Sequence, residues 1–362
     1  MLKRILFAAA FAQAWTGGLC AADFDWNVPK GFPRPAAPPG NPMNAAKVEL
    51  GRYLFYDSRM SVNGKESCGS CHRQELAFTD GRARAEGTTG QLHPRSSMSL
   101  VNVAYAPKLT WANAELESLE EQALTPMLGE DPIELGLKGH EKEFLDKVRG
   151  DKIYQRLFPE AFPGSGDFYT LGNVTKAIAA FERTIISMRS PYDRYRWNGE
   201  SSAISESAKR GELIFSSSER GGCFQCHGGW NFSSITYEGS QEREFEGEGI
   251  FFNTGVSQYP SPNRGLFERT QRPEDMGKFR APTLRNIALT APYMHDGSMA
   301  TLGDVLDHYA AGGKVDNPNK THILRRFHLS DADKRDLIEF LNSLTDSELL
   351  KDPRWSDPWK KR

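Results

Sequence analysis

Cys68-Gly69-Ser70-Cys71-His72 and Cys223-Phe224-Gln225-Cys226-His227 decide how this chain is read. Each is a Cys-x-x-Cys-His, the attachment pattern for c-type haem. Two thiols at this spacing reach the two vinyl groups of one porphyrin and form thioethers. The next histidine then faces the iron as proximal ligand. A zinc site would want four ligands in one cluster, and the pairs lie 155 positions apart. A redox disulfide needs no histidine after it, least of all twice. The expected cofactors are two covalently bound haem c, one on Cys68, Cys71 and His72, the other on Cys223, Cys226 and His227.

The chain has 362 residues and five cysteines, too few for a disulfide scaffold. The fifth, Cys20, lies in a start that runs Met1-Leu2-Lys3-Arg4, then Ile5 to Ala12, then small residues to Ala22. That is a secretory signal peptide over residues 1–22, and the expected location is the periplasm. Its apolar stretch is too short for a membrane span, and no later run is long enough either. Formal net charge is −2, with 45 basic and 47 acidic residues, so nucleic acid is not an expected partner.

The expected fold is mainly α: two cytochrome c-like haem domains with long ordered loops. The N-terminal domain would cover 23–200 and the C-terminal domain with its tail 201–362. Asn41-Pro42 is read as a cap before the periodic run Ala45, Val48, Leu50, Tyr53 and Leu54. A helix is expected from Leu171 to Met188, with Val174, Ile178, Phe181 and Ile185 on one face. Ser205 should cap a helix over 206–215, and Ser330 with Asp333 forms a capping box before Leu337 and Leu341. Residues 228–282 read as a long ordered loop over the second haem. No internal repeat is visible beyond the two haem motifs.

Function depends on the open side of each iron. Two strong protein ligands make an electron carrier, whereas an empty position admits peroxide or dioxygen. Candidate ligands are Met60, His93, Met98 and Met127 in the first half, and Met294, His295, Met299, His308 and Tyr309 in the second. Composition and spacing do not choose among them.

The segment Ala281-Pro282-Thr283-Leu284-Arg285-Asn286 through Pro292-Tyr293-Met294-His295-Asp296-Gly297 resembles the signature of bacterial di-haem cytochrome c peroxidases and MauG-like enzymes. More narrowly, Phe24-Asp25-Trp26-Asn27, His72 to Gly81 and Ser356-Asp357-Pro358-Trp359 resemble the MbnH-type branch, whose members are encoded beside MbnP-type copper-binding proteins. The resemblance implies roles for particular residues. Tyr309, fourteen positions after His295, stands where the peroxidases place a methionine ligand and MauG-like enzymes a tyrosine. A phenolate would stabilise the more oxidised iron and lower its potential. The His72 haem would then be the reactive one, with Gln122, Pro126 and Glu134 on its distal side and Glu130 as the fallback acid. A carboxylate there can move a peroxide proton to the leaving oxygen. Trp111 matches a tryptophan between the haems that passes a hole from one to the other. A calcium ion is implied at Thr290, Pro292 and Ser96, the last in place of the usual asparagine.

The leading functional expectation is a periplasmic oxidoreductase. It would use hydrogen peroxide to oxidise a partner protein at long range, converting a tryptophan of an MbnP-like protein to kynurenine. The alternatives are a cytochrome c peroxidase that takes electrons from a small redox protein, and a non-enzymatic electron-transfer cytochrome.

Overall fold

A computed structural model describes residues 24–360 except 165, 234, 239–240, 245–249 and 314–316. The signal peptide expected over residues 1–22 lies outside the described residues. The chain is mainly helical. Its first half carries α1 (Ala45–Phe55), α2 (Cys68–Cys71), α3 (Leu119–Gln122), α4 (Leu124–Leu128), α5 (Glu141–Gly150), α6 (Lys152–Ala161) and α7 (Leu171–Glu182). The second half carries α8 (Pro191–Trp197), α9 (Glu206–Phe215), α10 (Phe267–Thr270), α11 (Leu302–Ala310) and α12 (Asp331–Ser343). Strand is confined to two antiparallel pairs, Ile235–Glu238 with Gln241–Glu244 and Phe251–Phe252 with Phe279–Arg280. These pairs and α10 break up the long loop expected over 228–282.

Caps explain most helix starts. Ser205 Oγ accepts from the Ala208 N–H, and Ser330 and Asp333 form the expected reciprocal box. Two expectations are corrected. The cap of α1 is Asn44, whose Oδ1 accepts from the Lys47 N–H at 2.7 Å, not Asn41. Asn41 is buried instead and donates to Glu120 and to the Lys176 carbonyl, a tertiary role that overrides its capping propensity. Helix α7 stops at Glu182 rather than Met188. Beyond it Asn102 captures the backbone, taking a 2.8 Å bond from its N–H to the Ile185 carbonyl and accepting from Ser187 N–H.

The two larger clusters of buried side chains dominate the core. The first gathers Leu50, Leu54, Phe55, Val148, Phe158, Ile178 and Phe181. The second gathers Ile214, Phe215, Phe232, Leu306, Leu337 and Phe340. Each rests on a helix crossing closed by a glycine. A Cβ on Gly51 of α1 would lie 1.9 Å from the Ala177 carbonyl oxygen of α7. A Cβ on Gly211 of α9 would lie 2.0 Å from the Asp336 carbonyl oxygen of α12. The pattern Gly51-x-x-Leu54-Phe55 and Gly211-x-x-Ile214-Phe215 is therefore a repeat that sequence reading passed over. After α12 the chain returns to the first cluster, where Leu349 and Trp355 are buried and Trp359 donates its indole N–H to the Tyr53 carbonyl.

Candidate functional site

Both motifs sit on short helical turns, Cys68–Cys71 and Cys223–Gln225, just after the glycine-crossed helices. The following histidines are oriented through Nδ1. His72 Nδ1 lies 2.9 Å from the Phe78 carbonyl, and His227 Nδ1 lies 3.0 Å from the Pro282 carbonyl. A carbonyl partner fixes Nδ1 as the protonated nitrogen and leaves Nε2 as the ligand atom. Burial lowers the pKa of both imidazoles, which keeps them neutral and able to ligate.

The four cysteines are not disulfide-bonded. Burial raises three of the thiols, Cys71 to about 12, Cys223 to about 11, and Cys68 further. A redox-active pair requires the opposite shift, toward thiolate. Among the described residues no three His, Cys, Asp or Glu side chains gather as a metal cluster. Thioether formation, which removes the titrating proton altogether, is the chemistry these thiols suit.

Two hollows flank the motifs. The first, about 790 Å³ of unfilled space, is lined by Cys68, Cys71, His72, His93, Gln122, Pro126 and Glu134. The distal trio thus meets His72 in one place. Burial raises the Glu134 carboxyl to about 7. Glu130 lies at the surface and pairs with Lys138. The same hollow holds a residue that sequence reading missed: Glu182, at the end of α7. It is 5% exposed, its Oε2 has no hydrogen-bond partner, and burial raises it to about 8. Its signal was the acid that closes the apolar run Ala177-Ile178-Ala179-Ala180-Phe181.

The second hollow is lined by Cys223, Cys226, His227, Tyr309, Arg280, Trp111, Ser96, Thr290 and Pro292 among others. Tyr309 therefore shares one hollow with His227. It is half-buried rather than packed into the cluster that holds Leu306, and burial beside Cys226 and Cys223 raises its phenol. Arg280 faces the hollow with no carboxylate partner among the described residues, and desolvation lowers its pKa to about 10. A half-buried guanidinium without a counter-ion suits the propionates of a porphyrin.

Of the other candidate ligands, Met60 and Met127 are buried in the first core cluster. Met98 accepts from Arg280 through sulfur at 3.7 Å, while its backbone lies against His72. His308 Nε2 lies 2.8 Å from the Thr254 carbonyl. His295 stacks on Phe279 at 3.6 Å and burial lowers its pKa to about 4. Met294 lines the second hollow, and the Met299 backbone pairs with Tyr293. Trp111 lines the second hollow and not the first, donating its N–H to the Ser96 carbonyl at 2.9 Å. Ser96 Oγ donates to the Met294 carbonyl, and Thr290 Oγ1 to that of Ile287.

The family model of the di-haem cytochrome c peroxidases, which includes MauG, matches residues 45–202. A MauG protein of Methylorubrum extorquens is 32% identical over 93% of this chain and 88% of its own. The chain belongs to the di-haem cytochrome c peroxidase and MauG family. Cytochrome-c peroxidase IdrP1 of Denitromonas iodatirespirans is 33% identical over 96% of this chain and 95% of its own. A solved MauG-like protein associated with microbial copper homeostasis is 42% identical, with a TM-score of 0.87 over 93% of this chain and 100% of that one. Membership makes the protein a di-haem oxidoreductase of peroxidase type and implies two haem c, as the motifs and hollows do.

Proposed function

We propose that this protein uses hydrogen peroxide to oxidise a partner protein at long range. The carrying observation is the asymmetry of the hollows: Tyr309 shares the second with His227, while Gln122, Pro126 and Glu134 share the first with His72. In this reading the chain is two cytochrome c-like domains, residues 23–200 and 201–362, exported to the periplasm after loss of residues 1–22. Two bound haems would supply the redox capacity to take up both oxidising equivalents of peroxide.

The chain's own residues do the rest. Glu134, with a pKa raised to about 7, can take the proton of bound peroxide and return it to the departing oxygen. Gln122 and Pro126 shape that pocket. Tyr309 would supply an anionic oxygen ligand to the second iron, and Arg280 would neutralise its propionates. Met98 links the two sites, its backbone against His72 and its sulfur on Arg280, and Trp111 would pass a hole from one haem to the other. Ser96, Thr290 and Pro292 would hold a calcium ion at the rim of the second hollow.

The solved protein at 42% identity is associated with copper homeostasis, which supports an MbnP-like partner whose tryptophan becomes kynurenine. Mass spectrometry of that partner, with and without peroxide, tests the reading: a kynurenine mass on one tryptophan is expected. Relatives named cytochrome c peroxidases favour a second reading, electron uptake from a small redox protein. Fast turnover with reduced cytochrome c and an unmodified partner would replace the first reading with it. An electron carrier with no enzyme activity would show two low-spin haems and no high-spin signal by EPR.

A further inference from the structure

A chain of aromatic rings runs to the surface from Trp230, which lies under the guanidinium of Arg285, a residue lining the second hollow. Trp230 lies three residues beyond His227. Its ring is 5.7 Å from Phe32, and Phe32 is 5.6 Å from Trp197, both edge to face. Trp197, at the end of α8, is 49% exposed and is the one tryptophan among the described residues that is exposed. The geometry points to Trp197 as the exit through which this protein draws electrons from its partner; this deepens the proposed function and rests on it.

The ends of the chain differ in what they can do with a proton. The Trp230 Nε1–H is buried with no acceptor. The guanidinium of Arg285 lies 5.5 Å from the Trp230 ring, and Arg285 also bonds the Trp230 carbonyl. A hole on Trp230 therefore keeps its proton and sits beside a positive charge, so it does not rest there. Trp197 meets water, which can take its N–H proton, and the neighbouring Arg196 charge is screened by solvent. Phe32 is too hard to oxidise to hold the charge and serves as the spacer between the two indoles.

Rigidity supports the same assignment. Asp193, on the same helix as Trp197, makes a bidentate pair with Arg285 at 2.8 and 2.9 Å. The exit helix is thereby tied to the residue that cradles Trp230. Exposed basic side chains flank the exit. Lys30 and Arg34 bracket Phe32, and Arg196 precedes Trp197; none pairs with a carboxylate among the described residues. In a chain of net charge −2 this basic rim fits one occupant, a protein with an acidic face and an oxidisable side chain close beneath it.

The step balances. Trp197 gives one electron inward to an oxidising equivalent drawn from peroxide and its N–H proton to water. It is restored by an electron from the partner. Two such transfers, with two protons, complete the reduction of one peroxide to two waters.

The test uses the mature protein with both haems. After peroxide without any partner, peptide mass spectrometry should place oxygen adducts on Trp197 ahead of every other tryptophan. Trp197→Phe and Trp230→Phe should lengthen the optical lifetime of the peroxide-oxidised protein about tenfold, with haem content and circular dichroism unchanged, whereas Leu213→Ala should not. Unchanged lifetimes in both variants, or adducts that spare Trp197, would overturn the assignment. If the expected adducts and lifetimes appear but no partner protein is modified, the exit stands and the partner reading fails.

Discussion

Gly51 and Ala177 touch through backbone alone: a methyl group on Gly51 would lie 1.9 Å from the Ala177 carbonyl oxygen. Gly211 meets Asp336 in the same way. Neither neighbour is a side chain able to swing aside. Gly51→Ala and Gly211→Ala should each destabilise by about 1–3 kcal/mol or more, as overpacking does. Denaturant melts should show Gly51→Ala weakening the region around His72 and Gly211→Ala that around His227.

Glu134 should set the pH profile of the reaction with peroxide. Its carboxylate form accepts the proton, and burial places its pKa at about 7. The second-order rate with peroxide should therefore rise with pH through about 7. Glu134→Gln should lower it about 10²–10⁴-fold and flatten the profile, with both haems still attached. Stopped-flow measurement at several pH values checks both outcomes.

Glu182 should govern stability instead. Burial raises its pKa from 4.5 to about 8. The folded state thus holds a proton that the unfolded chain releases earlier. The stabilisation is complete below the unfolded value and is lost as pH rises through the folded one. Glu182→Gln should remove this loss, leaving denaturant midpoints flatter with pH than in the parent protein.

Tyr309 shares its hollow with His227, and replacing the phenolate by a neutral donor should raise that site's reduction potential. Tyr309→Met should do so while keeping a low-spin EPR signal. Tyr309→Phe, which offers no donor, should add a high-spin signal. Redox titration monitored by EPR reads both.

The thiols offer a simple count. Once residues 1–22 are removed, Cys68, Cys71, Cys223 and Cys226 are the cysteines left. All four should resist alkylation in the denatured mature protein, and mass spectrometry should find two haems per chain. Any labelled thiol would mean an incomplete site.

The two Cys-x-x-Cys-His motifs determined the cofactor and its number from sequence alone, because thioether chemistry is local and fixes its own spacing. Capping at Ser205 and Ser330 was legible for the same reason, since a cap and its N–H partner lie within one turn. Tertiary structure decided the rest. Asn41 reads as a cap but is claimed by Glu120, and α7 ends where Asn102 takes over its backbone. Glu134 and Glu130 stand four residues apart, and only the packing of that loop puts one into the hollow and the other against Lys138. Glu182, Arg280 and the line from Trp230 through Phe32 to Trp197 carried no motif. Their chemistry arises when burial strips water from a charge, or when rings distant in sequence are brought edge to face, and neither event is written in neighbouring residues.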